Sequence, residues 1–168
     1  MIELKRLERG AIPRALDKAE RYRLLNEPHE AESICRDVLA VDAEHQGAIV
    51  ALLLALTDQF GEGAGTTPEL VRPLVDRLKS PYERAYFGGV ISERWAKANL
   101  ARVPGHVLYD WFAEAMGLFE KAEELAPAGN EDAVLRWNSC ARILATSPGV
   151  RPRHEEHSTE AESAYGDG

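Results

Sequence analysis

The stretch ALDKAERYRLLNEPHEAESICRDVLAVDAEH, Ala15 to His45, decides the fold class. Apolar residues recur along it at three- and four-residue spacing, which is the period of an amphipathic α-helix. The tetrapeptide NEPH, Asn26 to His29, interrupts this pattern with a proline, and proline favours the first turn of a helix. The stretch therefore predicts two α-helices joined by a tight turn.

The rest of the chain repeats this organisation. Ala, Leu, Glu and Arg dominate, and the alternation typical of β-strands is almost absent. The second helix carries Ala31 to Leu39. Gly, Pro and Asn residues, which end or begin helices, predict the other helices at about 13–25, 46–60, 68–79, 81–100, 107–125 and 131–145. Pro73 falls inside the fourth, so that helix either kinks there or begins only at Pro73. We predict an all-α fold of about seven helices.

The composition changes after the seventh predicted helix. The segment TSPGVRPRHEEHSTEAESAYGDG, Thr146 to Gly168, contains Tyr165 but no Leu, Ile, Phe or Met. Such a segment buries too little apolar surface to offset the conformational entropy that ordering costs. We therefore divide the chain into a helical domain at 1–145 and a flexible acidic tail at 146–168.

The helix pairs resemble the tetratricopeptide repeat (TPR), a helix–turn–helix of about 34 residues. Small and aromatic residues stand at the spacing of that family in the first pair and in the sixth helix, at Ala19, Tyr22, Ala31, Ala115, Phe119, Ala122 and Pro127. The resemblance covers about 13–145 and is weakest in the middle pair. It implies antiparallel helix pairs stacked as a short right-handed TPR-like solenoid. A generic antiparallel helical bundle that uses alanine at its helix crossings is the alternative.

In TPR-like proteins the first helices of successive pairs line a concave groove, so the resemblance also implies a partner-binding site. The positions that it places in the groove are Leu16, Glu20, Arg23, Val50, Leu54, Thr57, Gly89, Ser92, Glu93, Leu135, Ser139 and Arg142. This lining is apolar in the middle and charged at the edges, which would suit an extended or helical peptide.

Two arginines near the ends of that groove indicate what the peptide would carry. Arg23 and Arg142 could each hold a carboxylate by two hydrogen bonds, which predicts a partner segment with acidic flanks. In the competing interpretation they pair with Glu20 and Glu93 on the surface, where ion pairs contribute little. The lining lacks the set of Lys, Asn and Arg with which family members hold a terminal carboxylate, so we do not predict that activity.

Charge and hydropathy argue against several classes of partner. Twenty basic residues against 28 acidic residues give a net charge of −8, which disfavours nucleic-acid binding. The longest apolar run, Ala48 to Leu56, is far shorter than the ~20 residues that a membrane span needs. The first residues lack the apolar stretch of a secretory signal. Cys35 and Cys140 each fall in a helical pattern, so we expect buried free thiols and a cytoplasmic protein.

The sequence offers little that resembles catalytic chemistry. The segment HEEH, His154 to His157, is similar to a zinc-protease helix, but that motif needs two histidines four residues apart. No combination of Ser and His forms a nucleophile set. We therefore expect no catalytic residue, no metal and no cofactor.

One aromatic cluster admits two interpretations. Tyr109, Trp111 and Phe112 in HVLYDWF lie too close in sequence to share one side of a helix. They either pack in the core on different sides, or at least one of them belongs to a partner-binding patch.

Together these patterns favour a non-enzymatic protein–protein interaction module, an adaptor or assembly factor that binds a peptide or partner segment in the groove. A self-assembling scaffold that forms homo-oligomers is the alternative. A helical enzyme or metal-binding protein is the least favoured hypothesis.

Overall fold

The computed structural model describes residues 1–63 and 65–153. A short 3-10 turn, Arg9–Ala11, precedes seven α-helices: α1 Ile12–Leu24, α2 Pro28–Val41, α3 Gln46–Thr57, α4 Pro68–Asp76, α5 Pro81–Ala98, α6 Gly105–Leu125 and α7 Asp132–Thr146. This part of the chain contains no β-strand. The prediction of an all-α fold with seven helices is confirmed.

Local chemistry explains where the helices begin and end. Prolines occupy the first turn of α1, α2, α4 and α5, where a missing backbone N–H costs nothing. Two side chains cap helix starts: His45 Nδ1 accepts from the Ala48 N–H at 3.1 Å, and Ser80 Oγ accepts from the Glu83 N–H at 3.2 Å. Since α4 begins at Pro68 and continues through Pro73, the alternative start at Pro73 is wrong.

Each helix packs against the next one along the chain, and α1 also contacts α3, as α3 contacts α5. Apolar residues of α1 to α5 form one core cluster, and those of α5 to α7 form a second. Leu54 and Phe87 pack against both clusters, so the two halves share one continuous interior. No described helix combines the length and the apolar character that a membrane span requires.

Residues just after α7 pack against the start of α6. Val150 is buried in the second core cluster, and its N–H donates to the Ser147 carbonyl at 2.9 Å. A Cβ at Gly105 would overlap the carbonyl oxygen of Gly149, so the backbones are in close contact there. The segment 146–168 that the sequence assigns to a tail thus begins with residues that join the core, and 154–168 lie outside the described residues.

Truncation at two points tests the contribution of Val150. A chain that ends at Arg153 is expected to unfold within about 2 °C of the full chain, because the composition of 154–168 provides little apolar surface to bury. A chain that ends at Thr146 is expected to unfold about 4 °C lower, because it loses the buried Val150 side chain. Thermal unfolding followed by circular dichroism measures both. Equal midpoints for the two truncated chains would show that the Val150 contact adds no stability.

Candidate functional site

A line of ion pairs joins the odd-numbered helices. On α1, Arg23 donates from Nε to Asp58 Oδ2 at 2.7 Å and from Nη1 to Glu20 Oε2 at 3.1 Å. Asp58 directly follows α3, and its carboxylate also accepts from Arg94 Nη1 of α5. Asp58 therefore bridges two guanidinium groups and connects α1, α3 and α5.

Arg94 is held further by α3. The same Nη1 atom donates to the hydroxyl of Thr57 at 2.8 Å. Burial lowers the pKa of the Arg94 guanidinium, the charges of Arg136 and Arg23 lower it as well, and Asp58 opposes this shift. Arg23 and Arg94 both bond to Asp58, so two positive charges lie side by side on this surface.

The ion pairs continue from α5 to α7 through Glu93. The Glu93 side chain is fully buried, at 0% exposure. Its Oε1 accepts from Lys97 Nζ at 2.6 Å and its Oε2 from Arg136 Nη1 at 2.7 Å. Burial alone would lower the pKa of Arg136, but the charge of Glu93 together with the hydrogen bonds to Tyr86 and Glu93 raises it. Arg136 Nε also donates to the Tyr86 hydroxyl at 3.3 Å, and Lys97 Nζ to Ser139 Oγ at 3.3 Å.

We call these ionised residues the charged strip; they are Glu20, Arg23, Asp58, Glu93, Arg94, Lys97 and Arg136. Beside its α5–α7 end lies a cleft of about 290 Å³, lined by Tyr86, Glu93, Lys97, Asp132, Leu135, Arg136 and Ser139. Leu135 is 65% exposed there. The cleft combines two hydroxyl groups, two cations, two carboxylates and one apolar side chain, a mixture of polar and apolar groups that is typical of interaction surfaces.

The structure brings together seven of the positions that the sequence predicts for the groove. Glu20, Arg23 and Glu93 belong to the charged strip, Thr57 bonds to it, and Leu135 and Ser139 line the cleft. The carbonyl oxygen of Leu54 accepts from Arg94 Nη1 at 3.4 Å, but the Leu54 side chain packs in the core.

Other predicted positions lie elsewhere. Leu16 and Val50 are half-buried and pack against core clusters. Ser92 is buried, and its hydroxyl donates to Glu114 Oε2 of α6 at 2.8 Å. Gly89 faces α6 as well, since a Cβ there would lie 2.6 Å from the ring of Phe119. Ser92 and Gly89 thus face α6, whereas the adjacent Glu93 faces α7, because each step along a helix turns the side chain by about 100°.

The ion pairs of the two predicted arginine anchors differ from each other. Arg23 pairs with Glu20, as the competing interpretation expects, and also with Asp58. Arg142 is exposed on α7, and Glu93 pairs with Arg136 and Lys97 in its place.

Sequence reasoning missed Asp58, Arg94, Lys97, Arg136 and Tyr86. One signal was available, because Glu93 and Lys97 stand four residues apart on a helix and such pairs interact.

The aromatic residues near the start of α6 lie in different environments. Phe112 is fully buried in the second core cluster. Trp111 is half-buried, with the Arg72 guanidinium 5.2 Å from its ring centroid and the Trp95 ring at 6.3 Å. Arg72 in turn forms an ion pair with Glu114 at 2.9 Å. Intramolecular packing therefore accounts for Phe112 and for much of Trp111.

Both cysteines are free and buried, as the sequence predicts. Burial raises the pKa of Cys35 to about 11 and that of Cys140 to about 12. Within residues 1–63 and 65–153, no group of three or more His, Cys, Asp and Glu side chains is arranged to hold a metal ion. The HEEH segment, His154 to His157, falls outside the described residues.

The raised thiol pKa values predict slow thiol chemistry in the folded protein. At pH 8 the native chain is expected to react with a disulfide reagent at least about 100-fold more slowly than the chain in guanidinium chloride, because little thiolate is present or accessible. Unfolded thiols ionise near pH 8.5, so the native state holds these protons more tightly and stability falls as pH rises above that value. Absorbance of the released thiolate measures the reaction. Equal native and denatured rates would contradict the burial of both thiols.

No protein-family model, no curated protein and no solved structure matches this chain.

Proposed function

We propose that this chain is a non-enzymatic protein–protein interaction module, an adaptor or assembly factor that binds a segment of a partner protein across its odd-numbered helices. The charged strip is the observation that carries this proposal. It crosses α1, α3, α5 and α7, which are the first helices of successive pairs. We place the protein in the cytoplasm, since two buried free thiols suit a reducing compartment.

We further propose that the helix pairs stack as a short right-handed TPR-like solenoid. The contacts of α1 with α3 and of α3 with α5, added to those between consecutive helices, support this arrangement. Fully buried small residues support it too, because they allow helices to approach closely. Those that stand at TPR-like positions are Ala19, Ala31, Ala115 and Ala122, each at 0% exposure.

The ion pairs prepare the surface for a partner. A long cationic side chain loses rotamer freedom when a partner immobilises it, and that loss weakens binding. Here Arg94, Lys97 and Arg136 are already held by carboxylates, yet between 23% and 34% of each side chain remains exposed. A partner that contacts these side chains therefore causes little further loss of rotamer entropy, because folding has already ordered them.

Site-specific photo-crosslinking tests the proposed face. A photoreactive amino acid is placed at Leu135, beside the cleft, and at Lys121 on the exposed side of α6 as the control. Each full-length protein is incubated with lysate of the native host and irradiated. The proposal expects a discrete crosslinked partner from position 135 and none from position 121. Crosslinks from position 121 alone would place the interface on the even-numbered helices, and no crosslink from either position would count against a partner-binding role.

Self-assembly is the second candidate function, favoured by one feature. Leu24 and Leu25 are adjacent at the end of α1 and are 79% and 61% exposed. Paired exposed leucines next to a turn can bury each other across a contact between two copies. Sedimentation velocity from low to high micromolar concentration tests this. A monomer throughout excludes self-assembly, whereas a dimer that Leu24→Gln and Leu25→Gln together abolish would support it.

A further inference from the structure

Some N–H donors of the charged strip form no hydrogen bond within the protein. All the bonds that Arg94 donates come from Nη1, and Arg136 donates only from Nε and Nη1. In the described part of the chain, no buried side-chain nitrogen or oxygen lacks a partner. The Nη2 groups of both arginines therefore form no hydrogen bond within this part of the chain and are not fully buried. Lys97 has one donor left besides those bound to Glu93 and Ser139.

Two carboxylates of the strip, those of Asp58 and Glu93, are in contrast well occupied. Asp58 accepts from Arg23 and Arg94, and both oxygens of Glu93 accept from cations at less than 3 Å. At the α5–α7 end of the strip, the groups with free hydrogen-bonding capacity are the donors of Arg94, Lys97 and Arg136, beside the exposed Asp132 carboxylate that also lines the cleft. A complementary ligand must bring negatively charged acceptors.

These donors lie close to one another. Arg94 and Lys97 stand three residues apart on α5, which places them on one face of the helix. Arg136 of α7 shares the Glu93 carboxylate with Lys97. Leu135, next to Arg136 on α7, adds exposed apolar surface at the same cleft.

On the basis of the proposed function, we propose that Arg94, Lys97 and Arg136 bind the side-chain carboxylate of an acidic residue in the partner segment, while Leu135 contacts an apolar residue beside it. The partner is thus a protein segment in which Glu or Asp adjoins a large aliphatic residue. A protein carboxylate is favoured over a nucleic-acid phosphate because the chain carries a net charge of −8, which repels an extended polyanion.

Peptide binding to the full chain tests this assignment. The probes are two fluorescein-labelled 12-residue peptides, identical except that the central pair is Glu-Leu in one and Gln-Leu in the other. Fluorescence polarisation is expected to show at least ~10-fold tighter binding of the Glu peptide at 50 mM salt, and a loss of that preference at 500 mM salt. The Arg94→Gln variant is expected to lose the preference, whereas Lys121→Gln on α6 is expected to keep it.

Further outcomes separate this assignment from the proposed function. Equal binding of the Glu and Gln peptides, or no binding of either, would overturn the carboxylate site, and crosslinking from Leu135 would still report whether a partner uses this face. Equal competition by a single-stranded oligonucleotide would also overturn it, because a general anion site does not select a protein side chain. Circular dichroism and the thermal midpoint show whether Arg94→Gln is folded, and Arg94→Lys, which keeps the charge, is expected to recover part of the preference.

Discussion

Replacing Arg136 with methionine is expected to lower the free energy of unfolding by about 3 kcal/mol. The substitution keeps most of the side-chain length but removes one of the two cations that hold the fully buried Glu93 carboxylate. Lys97 alone then has to compensate a charge that has no access to water. Loss of one partner from a buried pair is costly because the remaining charge stays desolvated, so the effect should greatly exceed that of a surface ion pair.

The control is Arg142→Met on the same helix. Arg142 is exposed, and its replacement is expected to change the free energy of unfolding by less than about 0.5 kcal/mol. Urea denaturation of both variants measures the difference. If the two variants lose the same small amount, the Glu93 carboxylate is hydrated in solution and the ion pairs of α5 with α7 are dispensable.

A double variant identifies the cause of the loss. Glu93→Leu combined with Arg136→Met removes the buried carboxylate together with its cation, and Lys97 is free to point into water because 34% of it is already exposed. We expect the double variant to be more stable than Arg136→Met alone, since no buried charge remains unpaired. A double variant that is less stable than the single one would attribute the loss to packing.

Helix positions could be predicted from the sequence because their boundaries depend on local chemistry. Proline in the first turn fixes the starts of α2 and α5. The left-handed backbone conformation of Asn26 ends α1. These signals act within a few residues. The bounds consequently agree with the structure to within about three residues, which is the usual precision of helix ends.

The orientation of each helix about its own axis could not be predicted as well. Ser92 and Glu93 are adjacent, yet one bonds to α6 and the other to α7. On α7 the predicted stripe passes through Leu135 and Arg142, whereas the ion pair with Glu93 uses Arg136. Charged residues occur on several faces of these helices, so only the packing between helices decides which of them meet.

The residues after α7 show a second structural feature that amino-acid composition could not predict. A segment with few apolar residues predicts a tail. A single valine is nevertheless enough to anchor part of that segment when a glycine on the neighbouring helix leaves space for its backbone. Gly105 at the start of α6 admits the Gly149 backbone, and Val150 enters the core beside it. These contacts join Gly105 to positions 44 and 45 residues later in the sequence, so no local sequence pattern predicts them.

The substitution Ala115→Leu is expected to lower the free energy of unfolding by about 1–3 kcal/mol. Ala115 has 0% exposure and stands one turn before Phe119 on the face of α6 that packs against α5. The two helices are so close there that a Cβ on Gly89 would lie 2.6 Å from the Phe119 ring. Three added carbon atoms have no space at this crossing, so either the helices separate or the leucine adopts a strained rotamer.

The matched control for this crossing is Ala113→Leu, two residues earlier on the exposed side of α6, which is expected to change stability by less than about 0.5 kcal/mol. Glu114, between them, is unsuitable because its carboxylate bonds to Arg72 and to the buried Ser92 hydroxyl. Urea denaturation should give a lower midpoint for Ala115→Leu with an unchanged slope, since the same surface is exposed on unfolding. Similar small losses at 113 and 115 would mean that α5 and α6 do not cross closely at Ala115, and the stacking of the helix pairs proposed above would lose its main packing argument.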